Sequence, residues 1–168
     1  MRRSFLLAPL VWALPARAQT AIPPSLLDRG ATLLADLIQS ARDSAIANGV
    51  KPIPPRIHQA LRGYFPDDLL RKVRFTSGHA DAITVPGLAM EYGHVDAVTL
   101  IDVILFHHDH AALTDAKLWA HELTHVMQYE RWGVEDFAKR YLQDFDAVEQ
   151  EARDNADHYV HWREHAHL

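Results

Sequence analysis

Cysteine is absent from the 168 residues, which excludes a disulfide framework, Cys-based zinc modules and thiol catalysis together. Glycine is sparse at 7 residues, and there is no internal repeat, low-complexity tract or charge block. Positive charge is also in deficit: 17 Lys and Arg face 22 Asp and Glu, a formal charge of −5. With no concentrated basic face either, a nucleic-acid partner is not expected. A Gly-rich phosphate loop and a G-x-S-x-G elbow are both missing, so nucleotide binding and serine hydrolysis have no support. The excess is in histidine, 12 residues in a chain that is 48% hydrophobic and 23% charged. This is the profile of one globular domain.

The N-terminus reads as an address. Met1-Arg2-Arg3 is a positive stretch, Phe5 to Leu14 is apolar, and Ala16-Arg17-Ala18 is an A-x-A site cut before Gln19. Residues 1–18 are therefore expected to be a signal peptide, too short to span a bilayer, which takes roughly 20 apolar residues. Arg2-Arg3-Ser4-Phe5-Leu6 also fits the twin-arginine pattern, so the route stays open between that and the general secretory one. The mature chain is expected to be exported, periplasmic or extracellular, with no membrane anchor.

Ser25 to Asn48 carries Leu26, Leu27, Leu33, Leu34, Leu37, Ile38, Ala41 and Ala45 at helical spacing. It predicts an amphipathic covering helix within residues 19–52, capped by Ser25 and closed by Gly49. Residues 53–168 are expected to form the working domain. A short helix is predicted from Arg56 to Arg62, a strand from Lys72 to Thr76, and no assignment is made for residues 79–91, where Pro86-Gly87 intervenes. Ala97 to Phe106 is β-rich around a turn at Ile101-Asp102. From Thr114, read as a cap, the chain is helical to its end, with breaks at Gly133 and near Asp144-Phe145-Asp146. The fold class is α+β, mostly helical, with a small sheet packed beside one helix.

That helix contains His121-Glu122-Leu123-Thr124-His125, an H-E-x-x-H pattern. Residues four apart share a helical face, so both imidazoles reach one zinc ion at about 2.0–2.1 Å. Glu122, about 100° further round the helix, is placed to act on a metal-bound water rather than to ligate. The alternative is a half-exposed polar stripe of His121, Glu122, His125 and Gln128 with no metal. Leu118, Trp119, Ala120, Leu123, Val126 and Met127 favour burial instead, and a buried carboxylate between two imidazoles calls for a compensating cation. A third ligand must come from elsewhere. The metzincin continuation fails, because Gln128 and Arg131 stand where Gly and His would be. The acidic helix after Asp146 offers Glu149 or Glu151, about 200° apart on a helix, so one at most faces the metal; Glu149 is favoured.

Trp119-Ala120-His121-Glu122-Leu123-Thr124-His125-Val126-Met127-Gln128 resembles the hallmark of the extracellular contractile-injection-system core-domain family, which is similar to gluzincin metallopeptidases. The resemblance runs back through Val73-Arg74-Phe75-Thr76 and forward through Phe137 to Leu142 and on to Glu149 and Glu151-Ala152, about residues 55–160. It implies a zinc peptidase with His121 and His125 as ligands, Glu122 as catalytic acid/base and Glu149 as third ligand. Related gluzincins carry an Asp, supporting a ligand His, where this chain has Arg153.

The expected function is hydrolysis of a peptide bond in a peptide or protein substrate by an exported monomer. Tyr141 and the histidines are the candidate oxyanion donors. Val103 to Phe106 is the candidate strand for pairing with an extended substrate, with plain core as its other reading. His107, His108 and His110 in one loop, and His158, His161, His165 and His167 at the C-terminus, raise two alternatives: a His-rich metal buffer, or a binding module that keeps zinc as a clamp. Trp119, Trp132, Tyr141 and Trp162 are expected in the core.

Overall fold

The computed structural model describes residues 23–77 and 96–166. The expected signal peptide, the unassigned stretch 79–91 and His167 lie outside the described residues. The elements in chain order are α1 (Pro24–Asn48), β1 (Lys51–Pro52), α2 (Pro55–Leu61), α3 (Asp67–Lys72), β2 (Arg74–Ser77), β3 (Ala97–Leu100), β4 (Val103–Phe106), α4 (Asp109–Thr114), α5 (Ala116–Trp132), α6 (Val134–Gln143) and α7 (Phe145–His165). The protein is α+β and mostly helical, with one small mixed sheet. No helix among the described residues is long and apolar enough to cross a membrane.

The sheet runs β1-β2-β4-β3. β2 and β4 are parallel, with Arg74 opposite Val103 and Ser77 opposite Phe106. β3 and β4 form an antiparallel hairpin from Ala97–Phe106 to Leu100–Val103. Its two-residue turn is Ile101-Asp102, and Ile101 takes φ +62°, the left-handed conformation that a tight hairpin turn demands. All four residues of β4 are buried. That follows from its place: it has a strand on each side and a helix on each face.

Two hydrophobic clusters occupy the two faces of the sheet. On one, Ile104, Phe106, Phe75 and Ala97 pack with Trp119, Ala120 and Leu123 of α5. Trp119 is fully buried, lies 4.8 Å from the Phe106 ring and donates its indole N–H to the Ala112 carbonyl. On the other face, Leu100, Val103 and Leu105 meet Ala31, Leu34 and Ile38 of α1. α1 also packs along α6, and α7 lies along α5. A bidentate ion pair ties α1 to the hairpin turn: Arg42 Nε and Nη2 donate to the two Asp102 oxygens at 2.5 and 3.0 Å.

The helix boundaries differ from the sequence reading where caps compete. α1 begins at Pro24 with Pro23 at the cap and no side-chain cap bond, so Ser25 is inside the helix. Proline supplies the start because its fixed φ suits the first turn. Thr114 ends α4, and Asp115 caps α5 by accepting the Leu118 N–H at 2.9 Å. Gly133, at φ +78°, separates α5 from α6, and Asp144 caps α7 by accepting the Ala147 N–H. Helix α3 was absent from the sequence reading, and the strand beyond it starts at Arg74 rather than Lys72.

Candidate metal centre

α5 lies with one face on the sheet and another on α7, so its polar residues are enclosed. Glu122 is 4% exposed, His125 6% and Gln128 0%, and His121 is half-buried. A half-exposed stripe is not what the packing gives: Glu122, His125 and Gln128 are nearly shut off from water, and His121 is the partly open member. His121 Nε2 and His125 Nε2 face each other at 3.2 Å. From α7, Glu149 brings Oε2 to 3.2 Å from His121 Nε2 and Oε1 to 3.3 Å from His125 Nε2. Among the described residues this is the only group of three or more His or acidic side chains gathered closely enough to hold a metal.

Glu151 is not brought there. It faces the outer side of the α5–α7 seam, where Arg131 Nη2 donates to both its oxygens at 2.8 Å. His158, His161 and His165 join no such group, and His165 Nδ1 lies 2.7 Å from the His161 carbonyl. His107 and His108 stack on each other at 4.3 Å.

A tetrahedral ion bonded at about 2.0–2.1 Å has donor–donor edges of about 3.3 Å. The His121–His125 separation of 3.2 Å is such an edge, and Glu149 sets one oxygen against each ring, Oε2 at 3.2 Å from His121 and Oε1 at 3.3 Å from His125; with one ligand atom from each residue, all three lie within 4.8 Å of one another. The chemistry of the donor set agrees. Two carboxylates and two imidazoles share one buried corner, and a divalent cation offsets their negative charge. Burial pushes the Glu149 carboxyl up, but hydrogen bonds and charge from His121 and His125 outweigh it and hold it at about 2. Burial pushes His125 down, while Glu149 and Glu122 more than reverse this, leaving it above its ordinary value. The corner thus attracts positive charge, as protons or as a metal ion. The residues present fit zinc.

Glu122 does not ligate in this arrangement. Its Oε2 accepts the Thr99 hydroxyl at 2.6 Å, from β3. Thr99 was missed in the sequence, because nothing local says which strand lies over α5. Tyr129 is deeply buried, and burial followed by the Glu122 charge pushes its hydroxyl up; it donates to the Thr99 carbonyl at 3.4 Å. The centre opens into a cleft of about 430 Å³, walled by Val98, Thr99, Leu118, Phe137, Tyr141 and Arg153. Tyr141 stands in that wall, its ring parallel to Phe137 at 5.7 Å. Arg153 reaches to 3.9 Å from Glu149 Oε2.

Val103 to Phe106 cannot pair with a substrate. That strand is β4, with β2 on one side and β3 on the other, and its backbone is already committed. The strand that lines the cleft is β3.

Residues 52–133 match the eCIS core domain family. The eCIS core match runs from β1 through α5 and includes His121, Glu122, His125 and Gln128, while Tyr141, Glu149 and Arg153 lie beyond it. Neither a curated protein nor a solved structure matches the chain.

Proposed function

We propose that this protein is an exported zinc-dependent peptidase, with His121, His125 and Glu149 as ligands. The observation that carries the reading is the gathering of His121, His125 and Glu149, whose ligand atoms lie within 4.8 Å of one another, beside a buried Glu122 that lines the same cleft. The H-E-x-x-H spacing on α5 supports it, and so does the gluzincin resemblance.

A bound zinc ion would polarise the scissile carbonyl and make its water acidic. Glu122 is the general base: Thr99 fixes its carboxylate, which takes a proton from water and returns it to the leaving amine. Among the described residues β3 is an edge strand, which suits an extended peptide. His107 N–H donates to the Asp96 carbonyl, so in the alternating antiparallel ladder Ala97 and Thr99 direct their backbone groups away from β4. Thr99 C=O takes the Tyr129 hydroxyl, and the groups of Ala97 face the cleft side, where a substrate strand adds. Val98, Leu118 and Phe137 give the cleft its apolar wall.

The test is elemental analysis of untagged protein, lacking residues 1–18, beside His121→Ala, followed by peptide digestion. One tight zinc, lost in His121→Ala, is expected. Glu122→Gln is expected to keep the zinc and lose about 10²- to 10⁴-fold in rate. Several weakly held ions would indicate a His-rich buffer. One zinc with no cleavage of any peptide in a broad library would leave a clamp.

A further inference from the structure

Of the buried polar and charged side chains among the described residues, Thr99, Glu122, Thr124, His125 and Gln128, the last is the most enclosed, at 0% exposed. Its Nε2 donates to the Val148 carbonyl at 3.0 Å and to Glu151 Oε2 at 3.1 Å. Its Oε1 lies 2.8 Å from His125 Nδ1. This amide cannot turn over. Reversed, it would set its oxygen against a carbonyl and a carboxylate, neither of which donates. With Oε1 toward the ring, Nδ1 must be the nitrogen that carries hydrogen. Neutral His125 then presents a bare lone pair at Nε2, the atom facing His121 and Glu149.

The same side chain reaches the other half of the centre. Val148 immediately precedes Glu149, so Gln128 holds the α7 backbone one residue from the third donor. Glu151, which accepts the second Nε2 hydrogen, is itself held by Arg131 on α5. One amide thus orients one ligand and anchors the segment carrying another.

We infer that Gln128 is a positioning residue for the metal centre, setting the tautomer of His125 and the approach of Glu149. This rests on the metal reading above. Partners of this kind are worth about 10- to 100-fold in metal affinity.

The test uses the untagged protein lacking residues 1–18 and two variants. Gln128→Met keeps the volume and removes the acceptor. Gln128→Glu combined with Glu151→Gln keeps an acceptor for Nδ1–H and restores a donor across the seam. Zinc affinity is measured by competition with a chromogenic chelator, and the His125 tautomer by long-range ¹H–¹⁵N spectra of zinc-free protein. Gln128→Met is expected to weaken zinc 10- to 100-fold and to move the proton of His125 off Nδ1. The double variant keeps an acceptor at Nδ1 but has no donor for the Val148 carbonyl, so it is expected to hold the proton on Nδ1 and to recover only part of the zinc affinity lost in Gln128→Met. A bridge that merely joined two helices would lower the melting temperature and leave zinc affinity and tautomer unmoved. A parent that takes up one zinc, with Gln128→Met within threefold of it, overturns the role of Gln128 alone. So does a parent whose His125, read at a pH high enough for the ring to be neutral, carries its proton on Nε2, a result that needs no variant to fold. A parent that takes up no zinc overturns the metal reading and this inference with it.

Discussion

Thr99→Val replaces a hydroxyl by a methyl of nearly equal size, and the hydroxyl removed is one shared between the Glu122 carboxylate at 2.6 Å and the Glu122 carbonyl at 3.2 Å. The Thr99 hydroxyl donates to Glu122 Oε2 at 2.6 Å, and the two residues are 7% and 4% exposed. A hydrogen bond to a charged group is worth about 1.5–3 kcal/mol. In a domain of this size each kcal/mol moves the melting temperature by about 2–4 °C. The valine variant is therefore expected to melt about 3–12 °C below the parent. Thermal unfolding at pH 7 on chelator-treated protein reads this without any contribution from a bound ion. The control is a double-mutant cycle: in the Glu122→Gln background the same substitution should cost under about 1 kcal/mol, since the charge that strengthens the bond has gone. A full cost in both backgrounds would mean that Thr99 serves the core and not Glu122. No cost in either would refute the buried contact itself.

Glu149→Ala should abolish tight zinc uptake in equilibrium dialysis, whereas Glu151→Ala should change it by less than about tenfold, because Glu151 binds Arg131 and Gln128 and stands outside the donor triangle. The reverse ranking would exchange their roles. Zinc at about 1,000 times its dissociation constant should stabilise the parent by about 4 kcal/mol, raising its melting temperature by about 8–16 °C, and His121→Ala should show no such rise. Asp102→Asn tests the clamp between α1 and the hairpin. Burial pushes the Asp102 carboxyl up, but Arg42 outweighs it and the net shift is downward. The pair's contribution is therefore present above the ordinary carboxylate range and lost as the pH falls through the lowered native value. Urea unfolding should show a deficit of about 1.5–3 kcal/mol at pH 7 that shrinks below about pH 4; a deficit constant with pH would remove the ion pair as its cause.

What could be read in the sequence was whatever a single helix determines by itself. The spacing of His121 and His125 puts both rings on one side of α5 without help from the rest of the chain. The hairpin turn at Ile101-Asp102 and the breaks at Gly133 and Asp144 are local in the same sense. The order of strands is not. It depends on which segment reaches β4 first, and so the sequence leaves Val103 to Phe106 open between a substrate-pairing edge and plain core, where the sheet makes it an interior strand. A signal was available: four consecutive apolar residues with no alternation mark a strand covered on both faces, as parallel neighbours usually are. Gln128 had a signal too, being a lone amide one turn from His125 amid Leu123, Val126 and Tyr129. From the sequence it is placed only within the alternative of a half-exposed stripe, of whose four residues it is the most buried. Thr99 had none, since its meaning comes only from the helix beneath it.

The centre is assembled across the boundary of the matched stretch, and this explains how α7 is fastened. Residues 52–133 supply two imidazoles, the candidate base and the amide behind one of them, but no third donor. Glu149 must be delivered by a helix whose own sequence is polar and whose inward face is narrow: Val148, Ala152, Ala156 and Tyr159. Small residues let α7 approach α5 closely, and they bury little area. Polar bridges complete the seam. Gln128 fixes Val148 at one end. Further along, Asn155 donates to Thr124 at 2.7 Å, and accepts the Tyr64 hydroxyl at 2.8 Å. Thr124 is one of the two residues left unspecified in the H-E-x-x-H pattern, and here it is 3% exposed and in contact with α7. One of the pattern's open positions therefore carries part of the joint: the helix that bears the histidines also holds, through Thr124 and Gln128, the helix that brings Glu149 to them.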